Sequence, residues 1–290
     1  MLNSADGART FHWLSSAVGD RSELDRLSAT MDAFYRDPAT RVRYQSLADS
    51  DVARQPQTEY ALCKAVLERK PGSVVEIGCG SGRLYRALVA AGFSAAYTGV
   101  EMSAELIAHN AERMPEATWV AGSVYDLALP SQSVDLVYSY FVLEHCVYPE
   151  KALQRMIDLL KPGGAAILVF PDFVEMGRFG SQALGLKGGG TKAALKRWEL
   201  VNACVSLYDA RVRLPRALRT ASARCGPFPV NTRPRCVRDD NQLEPDCDAV
   251  YMSSRSEVAT GATDRGLRVM FPAGITGHFL HNVLIELVRE

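Results

Sequence analysis

The residues best suited to chemistry lie in one short stretch, SVVEIGCGSG, residues 73–82. Three glycines, Gly78, Gly80 and Gly82, alternate behind an apolar run that contains Glu76. Glycines break a strand in this way where the backbone has to approach something closely. Two phosphate-binding fingerprints fail on spacing. A dinucleotide turn needs glycine at the sixth position of G-x-G-x-x-G, and Arg83 stands there. A triphosphate loop needs lysine after its second glycine; in GLKGGGTK, residues 185–192, Thr191 takes that place and no strand precedes it. Glu76 puts a negative charge near the turn, which repels a pyrophosphate and tolerates a cation. A second acid, Glu101 in GVEMS, closes the next apolar run. A carboxylate there can accept hydrogen bonds from both hydroxyls of a ribose. The pattern asks for a nucleoside that carries positive charge and no phosphate.

Such residues need a scaffold that brings strand ends together. SVVEIG (73–78), AYTGVEMS (96–103), ATWVAGS (117–123), VDLVYSY (134–140) and AAILVF (165–170) read as strands. Amphipathic stretches at 83–91, 104–114 and 149–160 alternate with them. KPGG (161–164) is a stop signal after the last of these, because proline and glycine cannot prolong a helix. This β-α-β-α succession predicts an α/β fold, a doubly wound parallel sheet with helices on both faces. In such sheets ligands sit beyond the carboxyl ends of the strands, where both acids and all three glycines fall.

On these landmarks, from about residue 71 to 172 and again near the C-terminus, the chain resembles the class I S-adenosylmethionine-dependent methyltransferases. The resemblance implies a seven-stranded Rossmann-like sheet and S-adenosylmethionine as cofactor. It implies that Glu76, Gly78, Cys79, Gly80 and Gly82 lie along the methionine part, Glu101 at the ribose and Met102 at the adenine. Ser123 stands where many members carry an aspartate facing the adenine amino group; Val124 would add a backbone contact and Tyr140 would lie against the methionine moiety. Cys79 reads as a small buried filler, since alkyl transfer from a sulfonium needs no covalent enzyme intermediate. FVLEHC (141–146) is similar to the Leu-Glu-His segment of the ubiquinone-pathway O-methyltransferases. That similarity makes Glu144 and His145 the catalytic candidates, with His145 as a base of suitable pKa for a hydroxyl acceptor. Phe141 replaces an acid of that segment, so no metal is expected; His278 and His281 are second choices as base.

The chain divides, on this reading, into an N-terminal helical lid (1–60), a cofactor core (61–172 and 254–290) and a large insertion after the fifth strand (173–253). Arg43, Tyr44 and Arg54 are candidate acceptor contacts from the lid. Whole-chain charge names no partner, because 33 basic residues balance 33 acidic ones. The insertion is lopsided: between residues 178 and 240 thirteen basic residues stand against four acidic ones. It favours a small anionic acceptor, such as a carboxylate, a sugar nucleotide or a carrier-tethered intermediate. Methylation at oxygen is what the resemblance to the O-methyltransferases implies. The insertion leaves room for a homodimer built through it. An RNA or tRNA methyltransferase would also want a basic lobe, but Ser139, Tyr140, Phe141 and Val142 stand where an Asn/Asp-Pro-Pro-aromatic motif would be, which argues against nucleic acid. A non-catalytic cofactor-binding subunit is the other alternative. Asp246 and Asp248 sit just before the returning core and could face the acceptor, but they read more readily as a plain strand entry. Seven scattered cysteines without close C-x-x-C pairs suit reduced thiols and a cytoplasmic location, and no apolar run approaches spanning length, so no membrane partner is expected.

Overall fold

A short strand, β1 (Trp13–Ser15), and the helices α1 (Arg21–Arg36) and α2 (Pro56–Arg69) come before the alternating segment. The computed structural model describes residues 12–38, 56–177, 190–237, 246–272 and 282–290. α1 starts where Asp20 accepts a hydrogen bond from the Ser22 amide at 2.8 Å, capping an orphan amide. The alternation then runs β2 (Ser73–Ile77), α3 (Arg83–Ala90), β3 (Ala96–Glu101), α4 (Ala104–Arg113), β4 (Thr118–Ala121), β5 (Val134–Tyr140), α5 (Pro149–Leu159) and β6 (Leu160–Pro171). The capped start of α4, where Ser103 Oγ receives the Leu106 amide at 3.3 Å, and Pro149 in the first turn of α5 fix these helix starts.

After β6 come α6 (Phe173–Met176), α7 (Gly190–Lys196), α8 (Leu200–Tyr208), a π-helical turn (Asp209–Arg213) and α9 (Leu214–Cys225). β7 (Pro229–Asn231), α10 (Arg255–Thr263), β8 (Leu267–Met270) and β9 (Asn282–Arg289) complete the chain. The main sheet has seven strands in the order β4-β3-β2-β5-β6-β9-β8, as the Rossmann-like reading expects. β3, β2, β5 and β6 run parallel, while β9 enters antiparallel between β6 and β8. Strand order reverses between β2 and β5, so the crevice opens beyond the ends of these two strands.

The two faces of the sheet follow the two-residue period of its strands. Val75 and Ile77 join one buried cluster with Val137, Leu168 and Ile285; Val74 joins the other with Leu136, Tyr138 and Ile167. One boundary differs from the sequence reading. Lys161–Gly164 do not separate α5 from the strand but belong to β6, whose register slips between Val134 and Leu136. Pairing with β5 already begins at Leu160, which extends the strand backwards through residues that break helices. A second, two-stranded sheet joins β1 to β7 antiparallel, so the amino-terminal segment is tied to the insertion.

Candidate active site

The glycine turn hangs from β3. The amides of Gly78 and Cys79 both donate to the carbonyl of Val100, at 2.8 and 2.9 Å, which bends the chain across the end of β2. Gly78, Gly80 and Gly82 all take positive φ, at 73°, 49° and 69°. The reasons differ. A Cβ on Gly78 would collide with Val142 Cγ2, and one on Gly82 would meet Met114 and Trp119 within 2.8 Å. A Cβ on Gly80 would meet nothing within 4 Å, so there the backbone faces open space at the mouth of the crevice. The Gly80 carbonyl receives the Asn110 side-chain amide at 2.8 Å, anchoring the turn to α4.

Glu101 ends β3 half-buried, with one carboxylate oxygen 3.2 Å from the Gly80 amide and the other 3.1 Å from the Ser103 amide. The structure therefore brings the second acid to the glycine turn, with lone pairs to spare beside the open backbone. Met102 follows it, half-buried. Ser123 and Val124 lie buried just past β4; Ser123 Oγ receives the Tyr125 amide at 3.3 Å, and Val124 packs in the core. Tyr140 closes β5 with its ring against Phe141 and the Arg83 guanidinium 5.9 Å from its centroid. Arg83 is itself paired with Glu59 of α2.

Glu76 sits elsewhere than its neighbours. It shares the Val74 face of β2, is 2% exposed, and accepts hydrogen bonds from the hydroxyls of Tyr138, at 2.8 Å, and Tyr97. Burial pushes its carboxyl up to about 7, against the two tyrosine hydrogen bonds that lower it. Cys79 is buried, and burial holds its thiol far above the ordinary range, so no thiolate forms there.

Beyond Tyr140, Phe141 takes a left-handed φ of 56° and a single 3-10 turn follows, Leu143–His145. The His145 amide donates to the carbonyl of Val142, the residue that covers Gly78, so this turn adjoins the glycine turn. His145 Nδ1 lies 3.1 Å from Asp248 Oδ2, and the same oxygen accepts the Tyr35 hydroxyl of α1 at 2.8 Å. The Tyr35 ring stands edge-on to the imidazole, centroids 6.0 Å apart. Burial pushes the imidazole pKa down, but Asp248, Glu144 and Asp246 outweigh it and hold it above its ordinary value. Glu144 is 1% exposed; its carbonyl accepts the amides of Val250 and Tyr251 at 2.8 and 2.9 Å. Among the described residues no side chain donates to its carboxylate, and His145 Nε2 lies 3.8 Å away. Burial raises its pKa to about 8, against the lowering effect of His145.

Sequence reasoning ranked one member of this cluster second and missed another. Asp248 reads as a strand entry in the sequence, but residues 246–248 form a turn and Asp248 is 1% exposed beneath His145. Tyr35 lies on the predicted amino-terminal helix without any local signal. Arg43, Tyr44, Arg54, His278 and His281 fall outside the described residues, as does most of GLKGGGTK. Among the described residues no group of His, Cys, Asp and Glu has the arrangement of a metal site.

The residues at the crevice suit a phosphate-free cationic nucleoside. Open backbone at Gly80 leaves room for a ligand, Glu101 offers carboxylate oxygens, and the nearest cation, Arg83, is neutralised by Glu59. Comparison with known proteins agrees. Residues 75–168 match a family described as a methyltransferase domain. An uncharacterized methyltransferase of Mycobacteroides abscessus is 29% identical over 192 residues, 64% of this chain and 71% of that one. A trans-aconitate 2-methyltransferase of Rhodopseudomonas palustris is 31% identical over 105 residues, 36% of this chain. The match spans only 41% of that relative's length. The plantazolicin methyltransferase BpumL, solved with S-adenosylhomocysteine, shares the fold with a TM-score of 0.55 over 93% of this chain and 98% of its own, at 12% identity.

Proposed function

Because the chain belongs to the class I S-adenosylmethionine-dependent methyltransferases, we propose that it moves the methyl group to an oxygen of a small anionic acceptor, with His145 as the base. One observation carries this reading: the His145 imidazole rests on a buried carboxylate, Asp248, that a tyrosine also grips. A carboxylate at Nδ1 keeps the proton there and leaves the Nε2 lone pair for the acceptor hydroxyl. It also stabilises the imidazolium once that proton arrives. When bound, S-adenosylmethionine supplies an already electrophilic methyl group, so the protein's task is to align the acceptor, exclude water and take one proton.

In this reading the backbone at Gly78, Gly80 and Gly82 passes beside the methionine part, with Cys79 as filler, and Glu101 grips the ribose. Met102, Ser123 and Val124 border the adenine, and Tyr140 lies along the methionine part. Glu76 acts from below, as a buried acid whose ionised form a nearby sulfonium would favour. Glu101→Ala should weaken cofactor binding by about 1–3 kcal/mol, the range for hydrogen bonds to a charged group. Calorimetry checks this, and an unchanged affinity removes Glu101 from the ribose.

The anionic acceptor is supported by the described part of the insertion, where Lys192, Lys196, Arg211, Arg216, Arg219 and Arg224 are exposed. A second reading, in which the acceptor oxygen is a carboxylate, is favoured by the relative named for trans-aconitate. That oxygen is already ionised, so His145 would act as a cation that binds it. The pH profile separates the two. With a hydroxyl acceptor, kcat/KM rises with pH as His145 loses its proton; with a carboxylate it falls over the same range. Labelled methyl transfer to candidate acids and hydroxy acids tests the whole reading, and robust labelling of tRNA instead would overturn it.

A further inference from the structure

α8 reverses the usual pattern of a surface helix. Its buried positions are the small residues Ala203 and Ser206, packed towards α7, where Thr191 Oγ1 donates to Ser206 Oγ at 3.1 Å. Its outward arc carries Leu200, Val201, Val205, Leu207 and Tyr208, which are 43–76% exposed, and no charged side chain. Trp198, in the turn between the two helices, is 86% exposed and takes a left-handed φ of 60°, which a bulky residue adopts only against strain. Val212 continues the face into the π-helical turn at 46% exposure. A contiguous apolar surface of this kind on a folded chain marks a site of contact.

The charge around the face selects the occupant. Arg211 lines the same surface as Leu207, Tyr208 and Val212. Exposed Lys192 and Lys196 stand on α7, which packs against α8, and Arg216 and Arg219 are exposed on α9, the next helix. A second copy of the chain would bring two basic rims together and repel. A nucleic acid would meet the rim but leave the aliphatic arc in water. An anionic bilayer satisfies both, since acyl chains accept an apolar arc without register and headgroups meet the lysines and arginines. α7 and α8 pack chiefly on each other and on the π-helical turn, so the pair can enter the headgroup layer without unpacking the core. No helix among the described residues is long and apolar enough to cross a membrane.

We infer that residues 190–219 form a docking face for an anionic membrane surface. The sequence reading looked for a spanning segment and expected no membrane partner; the exposed arc revises that expectation. The test is flotation of the full chain with vesicles of phosphatidylcholine alone or mixed with phosphatidylglycerol. The chain should float with the mixed vesicles, less as salt rises, and stay behind with the neutral ones. Val201→Asp with Val205→Asp should cut the bound fraction about tenfold at unchanged Tm, because both side chains already face water. Should that variant misfold, tryptophan fluorescence serves instead: the mixed vesicles should shift the wild-type emission to the blue, and Trp198→Phe should lose the shift. Failure to float, equal flotation with neutral vesicles, undiminished binding by a folded variant, or a dimer in solution that Val201→Asp dissolves would each overturn the inference.

Discussion

Asp248→Asn is expected to lower kcat by about 10²- to 10³-fold while leaving S-adenosylmethionine affinity unchanged. Asp248 Oδ2 lies 3.1 Å from His145 Nδ1 as an ion-pair contact without hydrogen-bond geometry. A carboxylate can only accept, so its charge favours the ring proton on Nδ1 and leaves Nε2 as the basic nitrogen. An asparagine amide can donate to Nδ1 instead, which moves the ring proton to Nε2 and blocks the acceptor's approach. The substitution keeps volume and removes a charge that favours the imidazolium, so the ascending limb of the kcat/KM profile should also shift to lower pH. Tyr35→Phe removes one hydrogen bond from the same oxygen and should cost far less. Titration calorimetry and rate profiles with an accepted substrate decide the matter. A rate and profile matching wild type would leave His145 without a base's role.

Glu144→Gln is expected to stabilise the fold at pH 8 by about 2 kcal/mol, on the scale of a buried polar group without a donor. Burial lifts this carboxyl to about 8 in the folded chain, against an ordinary value of 4.5. Above about pH 4.5 the unfolded chain releases the proton while the folded one keeps it. The contribution to stability is therefore whole in acid and drains away as pH rises towards 8. Glutamine does not titrate, so its advantage should be small at pH 5.5 and full at pH 8, read as Tm at both. Glu76, near 7, adds to the same slope. Asp172 and Glu175 act in opposite senses. Burial lifts Asp172 to about 7; it also pushes Glu175 up, but hydrogen bonds from Asp172, Ser254 and Ser256 outweigh it and hold that acid at about 2. A variant less stable than wild type at pH 8 would contradict the account. Retention of so costly an acid beside His145 accords with use in the reaction, where stability is commonly given up.

Most of the sheet was legible because its signals are local. VDLVYSY became β5 residue for residue, and β3 and β4 formed inside AYTGVEMS and ATWVAGS, as AYTGVE and TWVA. Glu101 was legible for the same reason: an acid at the end of an apolar run beside a glycine turn has few other places to go. Glu76 shows the limit. The sequence puts it two residues before the turn, yet only the two-residue period of β2 decides that it faces Tyr97 and Tyr138. Asp248 was legible only as an acid that could face the acceptor, because nothing local to DCDAVY says that it will meet a histidine a hundred residues earlier. The apolar arc of α8 was not legible, since apolar periodicity does not say what covers a face.

The rungs between β1 and β7 have a consequence for how the molecule is made. Ser15 Oγ donates to the Pro227 carbonyl across 212 residues, and Trp13 pairs with Asn231. A nascent chain leaving the ribosome therefore carries β1 without its mate until residues 229–231 have emerged. β2 to β6 can assemble before that, so the nucleoside crevice can precede the packing of α1 against Val230 and Val250. A chain halted before residue 229 would leave β1 without a partner and Leu24, Leu27 and Met31 without Val230 and Val250.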